Sequence, residues 1–130
     1  MNELERQEWL SNLKEGDKVA NEHYNSWRGG SYYKIYTVKK ITPTGKIRLN
    51  DGILLNQNGK YYNRDVWGGE DYNIEPVTDE ILEAIRIRKL KIKLNDKISK
   101  IFNDYNLMGM TVEDLETINN ILEKYVKAGD

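Results

Sequence analysis

The chain of 130 residues carries 20 Lys+Arg against 21 Asp+Glu, one His and no Cys. That length suits one domain of ordinary size, and the missing thiols exclude a disulfide framework, a thiolate metal site and a cysteine nucleophile. With a mean hydropathy of -0.77 and no apolar run near the ~18 residues a spanning helix requires, a membrane segment is excluded as well.

Leu4, Trp9, Leu10 and Leu13 recur among charges at helical spacing, which predicts a short helix ended by Gly16, with Trp9 as a core anchor. The first residues lack the basic-then-apolar layout of a signal peptide, so a cytoplasmic protein is expected. From Lys18 to about Val77 the pattern changes to short strands between turn residues. Lys18-Val19-Ala20 opens the first, and Tyr32 to Ile41 is dense in aromatic and β-branched residues. Thr42-Pro43-Thr44-Gly45 and Asp51-Gly52 are turn signals around the alternating strand Lys46 to Asn50. Ile53 to Leu55, Tyr61-Tyr62 and Tyr72 to Ile74 supply further strands before Pro76 closes the region. The expected fold class is α+β: a small antiparallel SH3-like β-barrel or curled sheet, with a short N-terminal helix and a C-terminal helical hairpin. The organisation is residues 1–77 for the N-terminal helix plus barrel and 78–130 for the hairpin, packed as one globular unit.

Thr78 is an N-cap candidate, with Asp79 and Glu80 in the first turn where the helix dipole favours acids. Ile87, Leu90, Leu94, Ile98, Ile101 and Tyr105 alternate steps of three and four, predicting one helix to about Tyr105, with Ile81, Ile85 and Ile92 widening its apolar face. Thr111, with Asp114 three residues on, caps a second helix whose Val112, Leu115, Ile118, Leu122 and Tyr125 share one side. A barrel of this size hardly covers so long an apolar helix, so a homodimer or higher homo-oligomer through the C-terminal helices is expected.

Near-neutral total charge conceals local imbalance. Arg28 to Arg48 holds six bases and no acid, Asp65 to Glu83 seven acids and no base, and Arg86 to Lys100 seven bases against Asp96. Of the helical bases Arg88, Lys89, Lys91, Lys93 and Lys97, most are expected to be solvated. A sequence pI of ≈ 5.9 makes a duplex-binding role unfavourable and suits a small anionic ligand better. Nine Tyr and three Trp against one Phe is a skewed aromatic set. Two stretches concentrate it, Tyr24 to Tyr33 and Tyr61 to Gly69, each with a Trp and an Arg near a Gly-Gly pair. Such glycines permit close backbone approach, Arg forks onto phosphate, and Trp or Tyr stacks on a base. The ligand-binding candidates are therefore Trp27, Arg28, Tyr32, Tyr62, Arg64 and Trp67. The bland alternative is that the glycines turn the chain and the aromatics plug the barrel ends.

No catalytic residue, metal site or cofactor is expected. His23 lies in Glu22-His23-Tyr24, which matches no nucleophile arrangement and is read as structural. Neither Gly-Gly pair precedes the Lys-Ser/Thr of a phosphate loop, and the Asn/Asp-Gly turns lack calcium-loop spacing.

Leu13-Lys14-Glu15-Gly16-Asp17-Lys18-Val19, Tyr36 to Thr42, Asn58-Gly59-Lys60 with Arg64, Ile74 to Thr78 and Leu115 to Leu122 together resemble small phage and prophage proteins. Among those, the layout is similar to the Thoeris anti-defence sponge family, with Thr111 to Ile118 as the nearest echo. The resemblance rests on scaffold residues and transfers no ligand position. It implies a non-enzymatic protein of a bacterial host's cytoplasm that sequesters a cyclic ADP-ribose-like immune signal without cleaving it. The alternatives are a protein-binding inhibitor or adaptor, such as an anti-CRISPR protein, and a nucleic-acid-binding accessory protein.

Overall fold

Asn2 starts the fold. Its side-chain oxygen accepts the Glu5 N–H at 2.8 Å and caps helix α1, Glu3–Ser11. A computed structural model describes residues 1–25, 29–61 and 72–126. Helix α1 buries Leu10, and Trp9 and Leu13 pack beside it on the core. The helix stops at Ser11, ahead of the expected Gly16; that glycine instead has φ +90° in the tight turn leading to the first strand.

Strands β1 (Lys18–Asn25) and β2 (Gly30–Ile41) form a long antiparallel hairpin, in register from Lys18↔Thr37 to Asn25↔Gly30. Strand β3 (Ile47–Leu49) joins β2 beyond a bulge at Val38/Lys40, and β4 (Leu54–Leu55) pairs with β3. Strands β5 (Lys60–Tyr61) and β6 (Tyr72–Asn73) pair with each other, and β7 (Glu75–Pro76) pairs with β1. The resulting order is β4-β3-β2-β1-β7 beside the separate β5-β6 pair. The fold is thus α+β with a curled, open sheet. Where β6 approaches β1, the Asn21 side-chain oxygen takes the Asn73 N–H at 2.8 Å, so a side-chain amide stands in for a ladder bond. Pro76 lies within an edge strand, where its missing N–H costs no interior bond. The core comprises Leu10, Val19, Tyr36, Val38, Ile47, Leu49, Leu55, Tyr72 and Ile74.

The C-terminal region is helical: α2 (Asp79–Ile101), α3 (Asp104–Met108) and α4 (Val112–Val126). Thr78 Oγ1 accepts the Ile81 N–H at 3.2 Å and Thr111 Oγ1 the Asp114 N–H at 3.1 Å, as the capping signals require. The expected single helix to Tyr105 ends at Ile101 instead. Asn103 adopts extended backbone and accepts the Asn106 N–H at 2.9 Å, so a strong N-cap starts a new helix there.

Two compact units divide the chain inside α2, the first ending at Arg88 and the second beginning at Lys89. The boundary expected at 77/78 lies eleven residues before this division. The first turns of α2 belong with the sheet unit because Ile81 is buried and Arg88 reaches a β2 ring. The two apolar sets of α2 do not merge into one face. At about 100° per residue, Ile81, Ile85 and Ile92 lie about 140–180° from Leu94. They are buried or half-buried, whereas Leu90, Leu94 and Ile98 are 46–50% exposed. Among the described residues no helix is long and apolar enough to cross a membrane.

Candidate functional site

Alternation along β1 turns Val19, Asn21 and His23 inward, and all three are buried. Polar groups in a core must be bonded, and each of these has a partner. Because the Asn73 N–H occupies Asn21 Oδ1, the amide nitrogen Nδ2 faces His23 Nε2 at 3.3 Å. The Tyr36 hydroxyl lies 2.7 Å from the same imidazole nitrogen. At the other end the Tyr72 hydroxyl donates to the exposed carboxylate of Asp51 at 2.8 Å. The Tyr36 and Tyr72 hydroxyl oxygens stand 3.4 Å apart, the longest link in the series. Burial first, then the bonds to Tyr36 and Asp51, pushes the Tyr72 hydroxyl far above the ordinary tyrosine range.

Aromatic rings enclose the imidazole. Tyr32, opposite His23 in the hairpin register, stacks on it at 5.5 Å and 29°, and Tyr72 meets it edge-on at 5.5 Å and 88°. Tyr61 continues the cluster, 6.2 Å from Tyr72. The Arg88 guanidinium, from α2, lies 4.2 Å from the Tyr32 ring centre, and Lys34 Nζ lies 5.4 Å from that of Tyr36. Cations held against these rings make the neighbourhood attractive to anions. Tyr32 remains half-buried, so part of the residue stays accessible.

Of the six candidates from the sequence, Tyr32 falls in this cluster. Trp27, Arg28, Tyr62, Arg64 and Trp67 lie outside the described residues. The described ends of their two stretches are Asn25 and Gly29 for one, Tyr61 and Tyr72 for the other. Those ends are linked through one ring contact, since Tyr72 packs on His23, two residues before Asn25. Sequence reasoning missed Asn21, Tyr36, Tyr72, Asp51 and Arg88. Period-two alternation from Val19 points Asn21 and His23 inward and was the available signal for the first of these. Of the five helical bases, Lys89, Lys91, Lys93 and Lys97 are exposed and Arg88 is half-buried.

Chemically, the arrangement offers a held aromatic ring, a fork-shaped cation beside it and an imidazole stacked behind. That combination suits recognition of a planar, negatively charged molecule. Among the described residues no group of three or more His, Asp or Glu side chains gathers to hold a metal ion. No family model matches the chain, and no curated protein or solved structure matches it significantly.

Proposed function

We propose that the protein binds a small anionic, nucleotide-like molecule without transforming it, and acts as a phage-type anti-defence protein by sequestering a cyclic ADP-ribose-like immune signal. The observation that carries the ligand class is the Tyr32–Arg88 pair, 4.2 Å from ring centre to guanidinium and backed by the His23 ring. A nucleobase can meet an aromatic ring edge-on in a T-shaped contact while a guanidinium forks onto phosphate, and both groups stand at this point. The basic, acid-free run from Arg28 to Arg48 adds a favourable field. Arg28 and Arg64 supply further phosphate contacts in this reading, with Trp27, Tyr62 and Trp67 as stacking surfaces. The anti-defence role itself rests on the sponge-like layout of the sequence.

Calorimetric titration of a cyclic ADP-ribose isomer tests it, using wild type, Tyr32→Leu, Arg88→Gln, Arg28→Ala and Arg64→Ala, with circular dichroism confirming the fold. Loss of one charge-assisted contact should weaken binding about tenfold to a hundredfold, and loss of the Tyr32 ring contact should cost ~0.5–1.5 kcal/mol. The nucleotide should be recovered intact from heat-denatured protein. Equal affinity in all five proteins, no binding by folded wild type, or conversion of the nucleotide would each overturn the proposal.

A further inference from the structure

We infer that the second compact unit pairs with a second copy of this chain, α2 of one protomer lying against α4 of its partner around a two-fold axis. Eleven large apolar side chains between Leu90 and Tyr125 are 39–89% exposed. Leu90, Leu94, Ile98 and Ile101 make a stripe along one side of α2 in steps of four, four and three, and Ile121 and Leu122 lie on α4. Leu115, Ile118, Leu122 and Tyr125 repeat three-four-three, the spacing that lets two helices interlock side chains. Monomeric proteins seldom leave that much contiguous apolar surface in water.

Charge selects the occupant. Residues 86–100 of α2 hold seven bases against Asp96, whereas α4 holds Glu113, Asp114, Glu116 and Glu123 against Lys124. Lys91 and Lys97 flank the α2 stripe at about 60° on either side. Pairing α2 with its own copy would set those lysines against each other, while the apolar side of α4 is flanked within about 60° by Asp114 and by no base of that helix, so pairing with α4 of a partner opposes unlike charges. Two-fold symmetry then makes that contact twice, which closes the assembly as a dimer. The inference does not depend on the ligand proposed above, since no residue is shared between the two surfaces.

Light scattering on the full chain across the micromolar range should give about twice the 15.3 kDa chain mass. Leu94→Glu with Ile98→Glu should give a monomer with unchanged helical circular dichroism. Lys91→Gln with Lys97→Gln leaves the stripe intact and should weaken the dimer about tenfold at low salt, because it removes attraction to α4. A monomeric wild type would overturn the inference. A neutralised variant that dimerises as tightly as wild type, or more tightly, would overturn the assignment of α4 as the partner surface.

Discussion

The Tyr72 hydroxyl gives its proton to Asp51 at 2.8 Å, and that bond decides how the buried network responds to alkali. Ionising Tyr72 would set a phenolate against a carboxylate inside a partly desolvated site, so the folded state holds the proton above the ordinary tyrosine pKa of 10.0. The sign of the linkage follows. Below pH 10 both folded and unfolded chains carry the proton and stability is unaffected. Above it the unfolded chain loses the proton first, so the folded state is progressively disfavoured as pH rises. Thermal melts from pH 8 to pH 11.5 should therefore show a loss of stability beginning near pH 10. In Tyr72→Phe that slope should be shallower, although its neutral-pH melting temperature is lower because Asp51 and Tyr36 lose a partner. An unchanged alkaline slope in the variant would show that other tyrosines carry the effect.

At the scale of elements, α1 is held to the sheet as much by Arg6 as by Leu10. The guanidinium donates to Ile74 O at 2.7 Å, Asn58 O at 3.0 Å and Asn73 Oδ1 at 2.7 Å. Arg6→Met keeps the stem but leaves these acceptors unpaired, which should cost about 2 kcal/mol. Hydrogen exchange should quicken in α1 and around residues 58–59 while the β1–β2 amides stay protected; uniform quickening would mean that α1 is integral to global stability. This contact also marks where sequence reasoning stops. Strand alternation, the Gly45 and Gly52 turns and the Thr78 and Thr111 caps are local chemistry and are legible from neighbouring residues. Asn21 replacing a ladder bond, which accompanies an open sheet, joins residues 52 positions apart. Tyr32 was legible through its aromatic surroundings, but its partner Arg88 sits 56 residues along the chain. Finding that pair requires knowing where α2 begins and which way it turns. The break at Asn103 was hidden for a different reason, because apolar periodicity continues through it to Tyr105 and the cap competes only locally.

For the whole molecule, the proposed ligand groups belong to residues 1–88 and the proposed interface to residues 89–126. A dimer stabilises its chains by mass action, so the melting temperature of wild type should rise with concentration. A tenfold change alters the association free energy by about 1.4 kcal/mol per dimer, enough to move the transition by a few degrees. Leu94→Glu with Ile98→Glu should melt at a temperature independent of concentration. Because those substitutions touch neither Tyr32 nor Arg88, the same variant should bind a cyclic ADP-ribose isomer with wild-type affinity. Titration of the monomeric variant beside wild type separates the two ideas. A monomer that binds normally places all recognition within one chain. A monomer that keeps its circular dichroism but loses affinity would mean that dimerisation helps build the ligand site, since the protein's field and packing there would then require the second copy.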